Sequence, residues 1–90
     1  MSRFELRRAC DGLVYRFKRC ADGTFVREDN ARMVIMRDPN WGWIAVEPDG
    51  GGVAGLSFAV ATRLQGDAPP EGAWVSRKSA KSYVYELVHV

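Results

Sequence analysis

Hydrophobic and polar residues alternate along short segments of this chain, and such alternation predicts β-strands that are buried on one face. Two neighbouring segments near the N-terminus each have one apolar face and one charged face. The apolar positions are Phe4 and Leu6 in the first segment and Leu13, Tyr15 and Phe17 in the second. The charged positions are Arg3, Glu5 and Arg7 in the first and Arg16 and Lys18 in the second. We therefore expect a sheet that packs on one side and meets water on the other.

Turn residues separate these segments at close spacing. Asp11-Gly12, Asp22-Gly23 and Asp49-Gly50 can supply the positive φ angles that tight hairpin turns need. The segments rich in β-branched and aromatic residues are 4–9, 13–19, 24–28, 31–37, 41–47, 73–77 and 83–90. The pattern predicts a five- or six-stranded antiparallel sheet built from hairpins.

Residues 53–65 fit two kinds of element. Val53, Leu56, Val60 and Leu64 fall on one stripe of a helix, and a glycine follows as a stop signal. The same residues also alternate with small ones, as they would in a strand. The alanines and the length favour a short helix over about 53–65 that covers one face of the sheet. The predicted fold class is therefore α+β, and the alternative is an all-β fold.

Length and composition predict one small globular domain over residues 1–90. Apolar residues make up 47% of the chain and charged residues 27%, which are ordinary values for a soluble protein. No apolar stretch approaches the roughly 18 residues that span a bilayer, and the first residues lack the apolar core of a signal peptide. Two cysteines are too few for a disulfide framework. We therefore expect a soluble, cytoplasmic protein without a membrane partner.

Charge is distributed unevenly although the net charge is only +2. Both ends of the chain are basic and its middle is acidic, so pairing of the first and last strands would form a modest basic face. The cations of that face would be Arg3, Arg7, Arg16, Lys18, Arg77, Lys78 and Lys81. Nucleic-acid binding generally needs rings on the same face as the cations, whereas alternation puts them on opposite faces here. Nucleic acid is therefore the alternative partner and not the first one.

One glycine motif resembles a cofactor-binding pattern. Gly50, Gly52 and Gly55 satisfy the dinucleotide pattern G-x-G-x-x-G. That pattern works at the start of a helix in a parallel sheet, and a short chain with hairpin turns has no room for such a sheet. We therefore expect the glycines to form a connection between elements, and we expect no cofactor.

Catalytic and metal-binding groups are few. Ser57 lies in a near-match to the hydrolase motif G-x-S-x-G, but His89 is the only histidine and lies at the end of a predicted strand. Cys10, Cys20 and His89 are too few to hold a structural metal ion. We therefore expect neither an enzyme nor a metal site.

Three tryptophans give the first function hypothesis. Trp41 and Trp43 are two residues apart, so they share one face of a strand, and Trp74 lies on a later strand. Trp is enriched at protein interfaces, although in a small domain the same residues can equally form the core. We therefore expect a small, non-enzymatic interaction domain that contacts a protein partner or a second copy of itself, as a homodimer, through an aromatic patch. Nucleic-acid binding through the basic face is the alternative.

Overall fold

The computed structural model describes residues 3–46, 52–78 and 80–90, and in these ranges the chain forms eight β-strands. The strands are β1 (Arg3–Arg8), β2 (Val14–Arg19), β3 (Phe25–Arg27), β4 (Asn30–Asp38), β5 (Gly42–Val46), β6 (Val53–Ser57), β7 (Gly72–Lys78) and β8 (Lys81–His89). A single 3₁₀ turn at Thr62–Leu64 is the only helical element among the described residues.

The strands form a closed antiparallel barrel in which each strand pairs with the next along the chain. β8 pairs back onto β1, with Leu87 opposite Leu6, and this pairing closes the barrel. Closure leaves no strand of the described sheet with an unpaired edge, so backbone N–H and C=O groups are used on both sides of each strand.

The predicted α+β fold is wrong, because the chain is all-β and has more strands than the five or six expected. The predicted helix over 53–65 is instead strand β6 followed by an irregular connection. β6 pairs with β5 on one side and β7 on the other. Gly55 permits close pairing on both sides, since a Cβ there would meet the Cβ of Ser76 at 3.3 Å and that of Ala45 at 3.4 Å. Close pairing with two neighbours therefore outweighs the helical spacing of the apolar residues.

Two of the three predicted Asp-Gly hairpin turns are confirmed. Gly12 and Gly23 have φ angles of 72° and 86° in the turns that follow β1 and β2. Each aspartate carboxylate accepts a hydrogen bond from a backbone N–H two residues on, that of Leu13 for Asp11 and that of Thr24 for Asp22. The third pair, Asp49-Gly50, lies outside the described residues.

The predicted faces of β1 and β2 are confirmed except at Leu13, which precedes β2 and is 41% exposed. Phe4 and Phe17 are buried and stack with ring centroids 5.0 Å apart, whereas Arg16 and Lys18 are exposed on the outer surface. One end of the barrel is filled by such inward side chains. They are Phe4, Phe17, Phe25, Ile35, Trp43, Trp74 and Leu87.

The connection between β6 and β7 closes this filled end, which we call the base. The indole Nε1–H of Trp43 donates to the Gly66 carbonyl at 3.0 Å, and that of Trp74 donates to the Pro70 carbonyl at 2.9 Å. The Gln65 side chain accepts a hydrogen bond from the Trp43 backbone N–H at 2.8 Å. Two core tryptophans therefore attach the long connection to the bottom of the barrel.

Candidate functional site

The opposite end of the barrel, which we call the mouth, is hollow. A cavity of about 380 Å³ occupies this half, and residues of all eight strands line it. Leu6, Phe17 and Trp74 belong both to the cavity lining and to the buried core, so they form the floor. We call this cavity the cup.

Three small residues create the space. Ala45, Gly55 and Ser76 lie opposite one another in register on β5, β6 and β7, and all three line the cup. One step nearer the base, β5 and β7 carry Trp43 and Trp74 instead. We call Ala45, Gly55 and Ser76 the small-residue row. The barrel is therefore filled at the base and open at the mouth because side-chain volume changes along the same strands.

Arginine and tyrosine side chains form the facing part of the cup. The Arg8 guanidinium lies 4.9 Å from the centroid of the Tyr83 ring, and the Arg27 guanidinium lies 4.4 Å from that of Tyr15. Tyr15 also packs against Tyr85, with ring centroids 6.0 Å apart. We call these five residues the arginine–tyrosine wall. Both cations rest on aromatic faces, a geometry that is favourable and strongest where water is scarce.

Turn carboxylates hold the two arginines from the outside. Arg8 donates from Nε and Nη2 to the two carboxylate oxygens of Asp11, at 2.9 and 2.6 Å. Arg27 donates from Nε to Asp29 at 2.5 Å. The arginine side chains are only 18% and 19% exposed, whereas those of Asp11 and Asp29 are 48% and 67% exposed. The guanidinium groups therefore lie inward of their carboxylates.

Electrostatics fix the charges of the Arg8–Asp11 pair. The hydrogen bond from Arg8, together with one from the Leu13 backbone, lowers the pKa of Asp11 to about 2. The same bond raises the pKa of Arg8 further above its ordinary value. Both groups therefore stay ionised across the neutral range, and the guanidinium remains a fixed cation beside the cup.

The basic residues expected from the sequence separate into two groups. Arg77 lines the cup, Lys81 begins β8 beside it, and Lys78 ends β7, so these three positions lie at the mouth. The other four are on the outer surface of β1 and β2, away from the cup. They are Arg3, Arg7, Arg16 and Lys18.

Carboxylates lie among the outer cations. Glu5 accepts hydrogen bonds from Arg7 at 3.0 Å and from Arg16 at 3.2 Å, and the bond from Arg7 is the main cause that lowers the pKa of Glu5. Glu28 lies 3.8 Å from Arg3. β1 and β8 do pair, but this pairing sets Glu86 beside Arg7 and so does not form a purely basic face. The outer surface of β1 and β2 is therefore mixed in charge.

The tryptophans do not form the expected surface patch. Trp43 and Trp74 are 4% and 2% exposed inside the barrel, whereas Trp41 is 55% exposed. The inward register of β5 and β7 is the reason, because it directs Trp43 and Trp74 to the core. Only Trp41 of the three can contact a partner from the surface of the folded chain.

Sequence reasoning missed the arginine–tyrosine wall, although part of its signal was visible. Arg8 follows Leu6 on the inward face of β1, and Arg27 follows Phe25 on that of β3. A cation at the end of an apolar face indicates a charged group at the end of a barrel interior. The small-residue row left no such signal, because its members are 10 and 21 positions apart along the chain.

The other sequence motifs lie away from the cup or serve the fold. Ser57 accepts a hydrogen bond from the Val60 backbone at 3.3 Å, and His89 contacts the Pro69 carbonyl at 2.7 Å at the base. Gly55 lies in β6 and Gly52 immediately precedes this strand, so these glycines do not begin a helix. Gly50 lies outside the described residues. Cys10 and Cys20 are free thiols.

Within 3–46, 52–78 and 80–90, no three His, Cys, Asp or Glu side chains cluster as metal ligands would. The same ranges contain no helix with the length and hydropathy needed to cross a membrane. No protein-family model, curated protein or solved structure matches the chain.

Proposed function

We propose that the protein is a non-enzymatic binding domain that holds one small organic molecule in the cup. The observation that carries this proposal is the small-residue row, which faces the arginine–tyrosine wall across about 380 Å³ of space. Ligand cavities typically measure roughly 300–1,000 Å³ and combine apolar walls with a few polar groups. Barrels of about eight strands have interiors that are either filled by side chains or hold one small ligand.

The filled base supports this interpretation of the hollow mouth. Protein interiors are normally packed as densely as organic crystals, and an empty space reduces stability. The same strands that carry Trp43 and Trp74 at the base carry Ala45 and Ser76 at the mouth. Larger side chains in the small-residue row could fill the mouth in the same way as Trp43 and Trp74 fill the base. We therefore interpret the cup as space kept for a ligand.

Binding of a neutral fluorescent probe tests the proposal. N-phenylnaphthylamine is apolar and becomes brighter when it leaves water, and its size suits the cup. We expect saturable binding to the unmodified protein with a single site. Because Trp74 lies in the floor of the cup, its emission should change together with that of the probe.

Two matched variants locate the site. Ser76→Leu fills the cup from β7, whereas Ser82→Leu adds the same volume at an exposed position of β8. We expect Ser76→Leu to weaken probe binding by at least about tenfold and Ser82→Leu to leave it unchanged. If a folded Ser76→Leu variant, with its far-ultraviolet circular dichroism intact, bound the probe as before, the proposal would fail.

Contact with a second copy of the chain is the second candidate function. Met36 and Val84 are 36% and 49% exposed on β4 and β8, and Trp41 is 55% exposed near the base, whereas Ile44 between them is buried. Exposed apolar side chains favour association, and sedimentation velocity over a range of concentrations tests it: Val84→Lys should abolish a dimer that the unmodified chain forms.

Nucleic-acid binding is the less favoured proposal. Glu5 and Glu28 lie among the outer cations, and the rings of β1 and β2 face inward.

A cytoplasmic location is also a proposal, and the two free thiols support it because the cytosol is reducing.

A further inference from the structure

We infer that the ligand of the cup is an amphipathic organic anion, with its acidic group at Arg8 and Arg27 and its apolar body on the floor. This inference rests on the proposed function and specifies the chemical class of the ligand. It depends on three observations about the cup: its charge, the way its cations are held, and its polarity from mouth to floor.

The charge of the lining is the first observation. Of the described residues that line the cup, the charged ones are Arg8, Arg27 and Arg77, and no described carboxylate lines it. Asp11 and Asp29 lie on the turns outside. A cleft lined by one sign of charge, with walls of low polarity, concentrates its field and attracts the opposite charge. Because Asp11 and Asp29 offset part of this charge from outside, the lining favours an anion through close contact with its guanidinium groups and not through a large net positive charge.

The orientation of the guanidinium groups is the second observation. The bonds to Asp11 and Asp29 use Nε of both arginines and Nη2 of Arg8 only. The Nη1 group of each arginine takes no part in these bonds. Each guanidinium is fixed between a ring and a carboxylate before any ligand arrives, so little entropy is lost on binding. Arg8 has Tyr85 as a further hydrogen-bond partner, and a planar guanidinium with several N–H donors suits the oxygens of a carboxylate, sulfonate or phosphate.

The polarity gradient is the third observation. Arg8, Arg27 and Arg77 lie toward the mouth, whereas Leu6, Phe17 and Trp74 form the floor. A ligand that enters with its apolar body first would bury this body against the floor and leave its acidic group among the arginines. The cup therefore selects for charge at one end of the ligand and for apolar surface at the other.

A pair of related probes tests the inference. Anilinonaphthalene sulfonate is N-phenylnaphthylamine with one added sulfonate, so the two differ chiefly in an anionic group. We expect the unmodified protein to bind the sulfonate at least about tenfold more tightly than the neutral probe, as charge-assisted hydrogen bonds to arginine would require. Ser76→Leu should weaken binding of both probes, because both occupy the cup.

Two double variants assign the preference to the cup. In Arg8→Gln/Arg27→Gln we expect the preference for the sulfonate, measured as the ratio of the dissociation constants of the two probes, to fall below about threefold. The matched control, Arg7→Gln/Arg16→Gln, removes the same charge from the outer surface and should keep the full preference. If both double variants lost the preference for the sulfonate equally, net charge alone would attract the sulfonate, and this result would overturn the inference.

The outcomes separate the inference from the proposed function. If the unmodified protein binds both probes equally, the cup binds ligands but does not select anions, and only the inference fails. If it binds neither probe, the proposed function fails as well. If Ser76→Leu binds the sulfonate as before, the sulfonate binds outside the cup, and the inference is overturned.

Competition keeps the test decisive if the double variant of Arg8 and Arg27 does not fold. In the unmodified protein, naphthalene carboxylate should displace the neutral probe at concentrations at least about tenfold lower than naphthalene carboxamide does. Equal displacement by the acid and the amide would overturn the inference without any substitution.

Discussion

Arg8 and Asp11 show how single residues connect a turn with the cup. Asp11 shapes the first hairpin turn by accepting a hydrogen bond from the Leu13 backbone at 3.1 Å. The same carboxylate binds the Arg8 guanidinium, which in turn rests on Tyr83. One aspartate therefore stabilises the turn between β1 and β2 and also orients a cation of the arginine–tyrosine wall.

Asp11→Asn should destabilise the protein in a way that depends on pH. The folded chain holds the pKa of Asp11 at about 2, below the value of roughly 3.9 expected in the unfolded chain. A depressed carboxylate pKa contributes stability above the unfolded value, and this contribution is lost as the pH falls through the folded value. Urea unfolding should therefore show a gap between the unmodified protein and the variant at about pH 6 that shrinks by about pH 2.

The pH dependence separates the contribution of the ion pair to stability from the contribution of the turn. Asn can still accept the hydrogen bond from the Leu13 backbone, so the turn geometry is largely kept. A gap of the same size at both pH values would mean that the substitution acts on the turn and not on the charge.

Among the elements, the strands with clear alternation were the predictable ones. β1 and β2 alternate strictly and have an Asp-Gly turn between them, so their faces and their pairing followed from local pattern alone. The helix predicted over about 53–65 is wrong because the spacing of Val53, Leu56 and Val60 fits a helical stripe as well as a strand. What decides its structure is pairing with β5 and β7, and this information lies outside the segment itself.

The candidate site was less predictable than the fold, for a related reason. The small-residue row joins three strands through register, and register is set by turns and bulges between them. In the sequence each member is simply an alanine, a glycine or a serine in an apolar segment. The arginines at the ends of two apolar faces were visible, but only barrel closure turns these faces toward a common interior.

Trp43→Phe tests how the connection between β6 and β7 is attached. Phe keeps most of the apolar volume but loses the N–H that donates to the Gly66 carbonyl. We expect this loss, together with the smaller ring, to lower the free energy of unfolding by about 1–3 kcal/mol. Faster hydrogen exchange in the connection, measured by mass spectrometry, should accompany it.

Trp41→Phe is the matched control for this prediction. Trp41 is exposed and lies two residues away, so the same substitution there should change stability by less than about 0.5 kcal/mol. Similar effects at both positions would contradict an anchoring role for Trp43.

At the scale of the whole molecule, closure of the barrel brings the ends of the described chain together. The Val90 backbone N–H donates to the Arg3 carbonyl at 3.3 Å, at the base and away from the cup. A permuted chain can therefore join these ends by a short glycine–serine linker and begin instead in the turn at 21–23, which also lies at the base. Every strand pairing and the whole mouth should be kept.

The permuted chain should keep the circular dichroism spectrum and bind N-phenylnaphthylamine within about twofold of the unmodified protein. Deletion of 81–90 is the contrasting variant, since it removes β8 and exposes the edges of β1 and β7. We expect this truncated chain to aggregate or to lose its cooperative unfolding transition. Loss of folding in the permuted chain would show that the order of the strands along the chain, and not closure alone, specifies the barrel.

The cup also predicts opposite effects on stability and on binding. Leu at position 76 would add apolar surface to a cavity with room for it, so Ser76→Leu should raise the free energy of unfolding by about 1–2 kcal/mol. For a domain of this size each kcal/mol corresponds to about 4–8 °C in the midpoint of thermal unfolding, which calorimetry measures directly. The same variant should lose the probe, whereas Ser82→Leu should change neither property. A space that lowers stability when empty, and that the chain could fill with one side chain, is best explained by a ligand that restores the lost contacts when it binds. A fall in the melting midpoint of Ser76→Leu would instead mean that the row is packed too closely to admit a ligand.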